Sequence, residues 1–164
     1  MENTEDTGST PQKIHVHTGG CHCGAVRFRV ELGPVIRGSR CNCSICQKLA
    51  PTGCLVKPAA LSLLSGDESL SDYEWGARVS TRYFCKHCGV YCFGKGNLPE
   101  LGGHFASVNL NCLDEFDVNA IEIGYWDGRH DNWAEGTRST PWPLFPEREQ
   151  AKLAVTPRDF ANAS

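Results

Sequence analysis

CNCSIC, at residues 41–46, is the stretch that decides the fold of this chain, together with two cysteine pairs, CHC at 21–23 and CKHC at 85–88. These three stretches contain seven of the ten cysteines in a chain of 164 residues. C-x-C and C-x-x-C spacings are typical of metal sites, because two thiolates from one short segment can converge on a single ion. The pattern therefore predicts a domain whose fold is tied together by bound metal.

The two outer pairs supply four sulfurs, which is the number that a closed tetrahedral zinc site requires. On an extended backbone both side chains of a C-x-C pair project to one face, so His22 should point away from the metal. A C-x-x-C pair instead needs a tight turn, for which Gly89 is suited. One ion held by both pairs would contribute directly to folding. The four predicted ligands are Cys21, Cys23, Cys85 and Cys88.

The middle cluster supplies three thiolates, and three protein ligands with one open position are typical of a reactive zinc site. Such an ion is expected to bind the thiol of a substrate and hold it deprotonated at neutral pH. The sequence thus predicts two Zn²⁺ ions per chain and a small-molecule thiol as substrate. The candidate catalytic residues, as ligands of the open zinc, are Cys41, Cys43 and Cys46.

The spacing leaves several pairings open. The middle cluster could recruit His22, His87 or Cys54 and close a second structural site, or it could remain as free thiols. In an oxidising compartment the whole set could form disulfides instead. The cysteines outside the three stretches are expected to be small buried core residues. They are Cys54, Cys92 and Cys112.

Composition narrows the class of protein. Hydrophobic residues make up 40% of the chain and charged residues 21%, as in a single globular domain. The net charge of −3 predicts no basic face for nucleic acid, and no apolar run is long enough to span a bilayer. The polar, acidic N-terminal stretch lacks the pattern of a secretory signal, so we expect a cytoplasmic protein. A homo-oligomer is compatible with the sequence.

The expected fold class is mainly β, with small stacked antiparallel sheets and few short helices, because short alternating runs are separated by many of the 17 glycines and 9 prolines. Residues 1–13 are expected to be a disordered lead-in, 14–146 the folded domain, and 147–164 a short helix followed by a tail. A helical turn is expected at 44–50, a loop at 66–74 and an extended apolar segment at 141–146. The expected strands are 25–30, 53–56, 61–64, 77–84, 105–110 and 120–123.

Beyond the cysteines, the chain resembles the glutathione-dependent formaldehyde-activating enzyme family, which includes the domain of centromere protein V. The resemblance covers about residues 15–146, and its motifs are specific in combination. It implies a compact fold around two zincs, with the outer pairs holding the structural ion and the middle cluster holding the ion open to substrate. The motifs are GGCHCG at 19–24, CNCSIC at 41–46, RYFCKHCG at 82–89, NLNCLD at 109–114, WDGR at 126–129 and DNW at 131–133.

The resemblance also implies a reaction. The family's named activity joins glutathione to formaldehyde and gives S-hydroxymethylglutathione, which is formally a carbon–sulfur lyase reaction run in reverse. Three alternatives remain open because fold and metal site do not fix a substrate. They are a carbon–sulfur lyase acting on a different thioether, such as a secondary metabolite, a non-catalytic zinc-bound thiol carrier, and a structural zinc domain that docks on a partner protein.

Four residues outside the cysteine clusters are candidate substrate contacts. In the 126–133 stretch an arginine and aromatic rings could hold a substrate carboxylate, or the stretch could be a turn at Asp127-Gly128 whose tryptophans pack into the core. In the polar stretch at 66–76, two aromatic residues could cover the open zinc or simply lie on the surface. The four candidates are Tyr73, Trp75, Arg129 and Trp133.

Overall fold

The computed structural model describes residues 13–145, and the predicted mainly β architecture is confirmed there. The described residues form ten strands and a single short α-helix, joined by turns and single 3-10 turns. The elements are β1 His15–Gly20, β2 Arg27–Leu32, β3 Arg37–Cys41, α1 Ser44–Leu49, β4 Gly53–Val56, β5 Leu61–Ser65, β6 Leu70–Glu74, β7 Ser80–Cys85, β8 Tyr91–Leu98, β9 Gly103–Asn109 and β10 Glu122–Trp126.

The strands form two sheets. The small sheet has the order β1-β2-β5, and the large sheet has the order β10-β3-β4-β9-β8-β7-β6. All neighbouring strands are antiparallel apart from β10 and β3, which run parallel. In that parallel pair Trp126 lies opposite Cys41, so the end of β10 is placed beside the middle cysteine cluster.

The core lies between the two sheets. The alternation in β2 buries Phe28 and Val30, and these side chains belong to the same buried cluster as Phe93 and Val108 of the large sheet. The rings of Phe28 and Phe93 meet edge to face, with their centroids 5.6 Å apart. Burying each such side chain contributes about 1.5–3 kcal/mol, so this packing fixes the frame on which the cysteine clusters sit.

Most of the expected elements are present. The strands at 53–56 and 61–64 correspond to β4 and β5, and the helical turn corresponds to α1. The other four expected strands correspond to β2, β7, β9 and β10, with ends displaced by one to three residues. Such displacements are usual because strand ends are set by pairing partners, which a single sequence does not show.

The expected loop at 66–74 is wrong in its second half, where β6 pairs with β7 at the edge of the large sheet. Asp72, Tyr73 and Glu74 are all exposed, so neither face of this part of the strand needs apolar residues and the sequence shows no alternation. Strands β1, β3 and β8 were also not expected from the pattern.

Two expected segments fall beyond the described part of the chain. The lead-in, apart from Lys13, and the helix and tail at 147–164 are outside residues 13–145. Within residues 13–145, no helix has the length and apolar character needed to cross a bilayer.

Candidate metal centres

Four cysteine sulfurs converge at one end of the core, and we call this group the four-sulfur cluster. Its ligand atoms all lie within 4.8 Å of one another. The Cys21 and Cys23 sulfurs are 3.5 Å apart, and those of Cys23 and Cys85 are 3.7 Å apart. A tetrahedral zinc ion with bonds of about 2.3 Å to sulfur needs sulfurs about 3.8 Å apart, so the donor set fits a closed zinc site. The members are Cys21, Cys23, Cys85 and Cys88.

Two tight turns bring these sulfurs together. The Gly24 N–H donates to the Cys21 carbonyl at 3.1 Å, and the Gly89 N–H donates to the Cys85 carbonyl at 2.8 Å. Gly89 has a φ of +73°, a conformation that glycine adopts readily. The expectation that Cys21 and Cys23 lie on extended backbone is therefore wrong: they belong to a turn, which the Val26 N–H also stabilises by donating to the Cys21 sulfur.

The four-sulfur cluster is continuous with the core. Cys85 is fully buried and Cys21 nearly so, and both belong to the cluster of buried apolar residues. Cys88 is half-buried, and Cys23 is exposed. The core therefore covers one side of the site, which suits an ion that binds only protein ligands.

Three further sulfurs converge where β3 meets α1, and we call them the three-sulfur cluster. Their ligand atoms also lie within 4.8 Å of one another, and all three residues are half-buried. Cys41 ends β3, Cys43 caps the N-terminus of α1 and Cys46 lies in its first turn. Residues three apart at a helix start share a face, which places the sulfurs of Cys43 and Cys46 side by side.

The three sulfurs compete for negative charge. Hydrogen bonds from Cys41 and from Cys46 lower the pKa of the Cys43 thiol to about 2. Hydrogen bonds with Cys41 first and then with Cys43 raise the pKa of the Cys46 thiol. A soft divalent cation lets all three ionise, so this donor set fits zinc bound by three thiolates.

Asn42 holds the loop after β10 against the three-sulfur cluster. Its backbone N–H donates to the Trp126 carbonyl at 3.3 Å, and its side-chain amide donates to the Asp127 carboxylate at 2.6 Å. Its side-chain oxygen accepts from the Arg129 N–H at 2.9 Å. Asp127 is buried and also bonds the His130 ring, so the expected turn at Asp127-Gly128 is a fixed part of this site.

The same loop brings Trp133 close to Cys41. A Cβ placed on Gly128 would lie 2.6 Å from the Cys41 sulfur and 2.7 Å from Cη2 of Trp133, so the loop backbone touches both. Trp133 is 52% exposed, and the expectation that it packs into the core is wrong. Its ring lies 6.0 Å from that of Trp126, which is half-buried.

The other three predicted contacts, Arg129, Tyr73 and Trp75, have different surroundings. The Arg129 guanidinium stacks on Phe145, 4.4 Å from the ring centroid. Tyr73 lines a cavity that also contains Ile45 of α1 and is therefore beside the helix that carries Cys46. Trp75 is exposed and lines neither of the two cavities that border the cluster.

A cavity of about 210 Å³ borders Cys41 and Cys46, and we call it the arginine cavity. Arg40 donates from Nε to the Thr52 hydroxyl at 3.1 Å, and Arg82 lies 3.5 Å from the Ser80 hydroxyl. Within residues 13–145, neither arginine forms an ion pair with a carboxylate. The cavity is therefore cationic. Its polar lining residues are Ser39, Arg40, Ser80, Arg82, Tyr91 and Ser107.

Sequence reasoning selected none of these six lining residues as a substrate contact. Arg40 directly precedes Cys41, and Arg82 begins the RYFC motif, so the position of each arginine next to a cysteine motif could have identified it as a candidate. Nothing in the sequence marks Tyr91. A tyrosine is already protonated at neutral pH, and burial raises the pKa of the Tyr91 hydroxyl further, to about 12, so the phenol remains a hydrogen-bond donor beside the cavity.

The remaining cysteines stay outside both clusters. Cys92 and Cys112 are buried, as expected for core residues, whereas Cys54 is half-buried. Burial raises the pKa of the Cys54 thiol. In the described part of the chain neither histidine of the cysteine pairs joins a cluster, and no other residue completes the three-sulfur cluster. The alternative of a second closed site is therefore not the arrangement observed.

A sequence model of the family described as glutathione-dependent formaldehyde-activating enzyme matches residues 16–128. The chain belongs to this family. The matched range contains all seven cysteines of the two clusters and ends at Gly128, before Arg129 and Trp133. Both clusters can hold a metal ion, and their positions in the chain agree with the resemblance seen in the sequence.

Curated relatives agree with this assignment, and a solved structure has a similar fold. A Halomonas elongata protein is 38% identical over 54% of the chain and 62% of its own length, and a Penicillium rubens protein is 35% identical over 65% and 60%. Both are named "Putative glutathione-dependent formaldehyde-activating enzyme". The chain thus spans about 60% of the length of these relatives. A crystal structure of a Rhodobacter sphaeroides protein aligns with a TM-score of 0.58 at 28% identity, covering 66% of this chain and 98% of that one.

Proposed function

We propose that the three-sulfur cluster is the reactive centre of a zinc-dependent enzyme that joins a thiol to a carbonyl carbon or cleaves the product. Glutathione and formaldehyde are the substrates that the family and the names of its members favour. The observation that carries the proposal is the convergence of three sulfurs beside a cavity with two arginines that lack a carboxylate partner within the described residues.

Two zinc ions would have different tasks. The four-sulfur cluster would hold one ion with no position left for substrate, and this ion would stabilise the fold. The three-sulfur cluster would hold the other through Cys41, Cys43 and Cys46. When bound there, zinc supplies a position at which a substrate thiol ionises and is oriented.

The arginine cavity suits an anionic thiol. Glutathione carries two carboxylates, and the guanidinium groups of Arg40 and Arg82 can each bind a carboxylate through paired N–H donors. Because both arginines line the same cavity as Cys41 and Cys46, a bound carboxylate would direct the thiol of the ligand toward the cluster.

The chemistry then balances without a redox partner. A sulfur–carbon bond forms, the carbonyl π electrons move to oxygen, and the thiol proton ends on that oxygen; cleavage is the reverse. Tyr91 lines the cavity and, like any tyrosine, is protonated at neutral pH, so its hydroxyl can donate a hydrogen bond to an oxygen bound there. We assign Tyr91 this role in the reaction.

Other expectations also belong to this proposal. We retain Trp133 as a wall of the substrate site, because it lies with Gly128 beside Cys41. Arg129, Tyr73 and Trp75 stay predicted contacts. The ten cysteines are all unpaired, which agrees with a reducing, cytoplasmic location.

The test compares the wild-type protein with Cys43→Ser, and with Cys54→Ser as the matched control outside the clusters. We expect two zincs per wild-type chain and one in Cys43→Ser. We also expect wild type to accelerate exchange between free glutathione and its formaldehyde adduct, measured by NMR, and Cys43→Ser to lose at least about a hundredfold of that rate. Cys54→Ser should match wild type within about twofold.

Two results would contradict the proposal in different ways. Calorimetric heat on adding glutathione without any acceleration of exchange would indicate a thiol carrier. Two zincs with no heat on adding glutathione would exclude glutathione as the substrate and favour a structural zinc domain.

A further inference from the structure

A second cavity, of about 300 Å³, borders the three-sulfur cluster, and we call it the aromatic cavity. It shares Arg40, Cys41, Cys46 and Pro51 with the arginine cavity, so the two cavities meet at the sulfurs. The region around α1 contributes Asn42, Gln47 and Ala50 to its lining, and the opposite wall, from β10 and the segment near residue 142, is apolar. The apolar residues of that wall are Tyr125, Trp126, Pro141, Trp142 and Leu144.

The aromatic wall is held in place by specific contacts. The Trp142 indole N–H donates to the Tyr125 carbonyl at 2.9 Å, and the Arg138 guanidinium stacks on the Trp142 ring, 3.8 Å from its centroid. Tyr125 and Arg138 exchange two backbone hydrogen bonds, of 2.9 and 3.2 Å. These contacts restrict the motion of the wall, which lowers the entropic cost of binding a ligand against it.

Formaldehyde has no apolar group that could fill the aromatic cavity. Apart from its oxygen, the formaldehyde carbon carries only two hydrogen atoms, whereas an apolar cavity of this kind favours ligands that bury hydrocarbon surface. The arginine cavity on the other side of Cys41 and Cys46 favours an anion. A ligand that spans the cluster would therefore be charged at one end and apolar at the other, with its sulfur between them.

We propose that the site acts on adducts between an anionic thiol and an aldehyde whose carbon bears an apolar group of several carbon atoms. This inference rests on the proposed function and names its substrate class. In the synthetic direction the thiol sulfur bonds to the aldehyde carbon, the π electrons of the carbonyl move to its oxygen, and the thiol proton ends there. The apolar group lies against Trp142 and Leu144 while the thiol's carboxylates lie near Arg40 and Arg82.

The binding test uses stable thioethers on the zinc-loaded protein. S-methylglutathione and S-hexylglutathione differ by five methylene groups and share every polar group. We expect calorimetry to show that wild type binds the hexyl compound at least about tenfold more tightly, because the added chain buries apolar surface. Trp142→Leu should lower this preference by about tenfold and Leu144→Ala by about threefold. Leu64→Ala, at an exposed leucine of β5, should keep the wild-type preference.

The turnover test compares hexanal with formaldehyde, each with glutathione. We expect the ratio of kcat/KM for hexanal to that for formaldehyde to fall in Trp142→Leu and Leu144→Ala and to be retained in Leu64→Ala. Equal binding of the two thioethers, or turnover of formaldehyde alone, would overturn this inference and leave the proposed function standing. Failure to bind either thioether, with no turnover of either aldehyde, would overturn both.

Discussion

The four-sulfur cluster lies against the core, whereas the three-sulfur cluster lies where two cavities meet. Cys85 and Cys21 of the first are buried among apolar side chains, while all three members of the second are half-buried. The ligand atom is the same in both. The difference lies in the number of sulfurs and in what surrounds them, and these two features separate a metal that stabilises a fold from one that binds substrate.

The largest effect is expected from a substitution that disrupts the four-sulfur cluster. Cys85→Ser removes a buried ligand, and an apparent zinc-binding free energy of about 10–16 kcal/mol is as large as the stability of a typical domain. We expect the variant to lose cooperative thermal unfolding, followed by circular dichroism, and to bind less than one zinc per chain.

Cys92→Ser is the matched control for that change. Cys92 is equally buried but belongs to neither cluster, so its serine variant should cost only about 1–3 kcal/mol and keep both metals. If Cys85→Ser behaves like Cys92→Ser, the four-sulfur cluster does not hold a structural ion.

A smaller effect is expected on the open side, at Arg82. Removing a charged hydrogen-bond donor costs about 1.5–3 kcal/mol, so Arg82→Leu should raise KM for glutathione by about tenfold or more. Arg82→Lys should recover part of the loss because the charge returns without the paired donors. The reaction with 2-mercaptoethanol, which has no carboxylate, provides the control. An equal loss with both thiols would show that Arg82 does not bind the substrate carboxylate.

A further change sharpens the contrast between the clusters by crowding only one of them. The Cβ of Gly128→Ala would lie 2.6 Å from the Cys41 sulfur, so the loop or the cysteine must shift. We expect a competing chelator to remove zinc from the three-sulfur cluster about tenfold more readily. Gly33→Ala, where nothing lies within 4 Å, should match wild type. Unchanged zinc retention in Gly128→Ala would mean that the loop adapts without cost.

The smallest expected effect is on the surface near the four-sulfur cluster. Arg27 and then Thr18 lower the pKa of Asp114 by hydrogen bonding to its carboxylate. The stability this contributes is present above the ordinary carboxyl pKa and would be lost only as pH falls through the lowered value. Asp114→Asn should therefore cost a constant amount, at most about 1 kcal/mol, between about pH 5 and 8.

Urea unfolding of wild type and Asp114→Asn at several pH values measures this difference. Because the pair is exposed, 1 M salt should reduce the cost, and glutathione binding should not change. A cost that grows between pH 5 and 8 would show that another group controls it.

The two cysteine clusters and the fold class could be predicted because both leave local patterns. C-x-C and C-x-x-C spacing marks the seven cysteines, and period-two alternation marks strands such as β2, which buries Phe28 and Val30. The resemblance implied that the two outer cysteine pairs bind one ion together. The spacing alone had left Cys54 and the two nearby histidines as possible ligands.

The rest of the site depends on long-range placement. Arg40, Arg82 and Tyr91 meet at one cavity because β3, β7 and β8 belong to one sheet, and no local pattern encodes that meeting. The aromatic cavity likewise needs Trp142, which lies beside Tyr125 only after folding. Strand β6 was missed because an exposed edge strand carries no alternation.

The most direct test of the difference between the clusters is a ¹¹³Cd NMR titration with glutathione, since cadmium replaces zinc at soft thiolate sites. We predict two signals from the wild-type protein, of which glutathione moves only one. That signal should be the one missing from Cys43→Ser. Movement of neither signal, or of the one that Cys43→Ser retains, would contradict the assignment of the three-sulfur cluster as the open site.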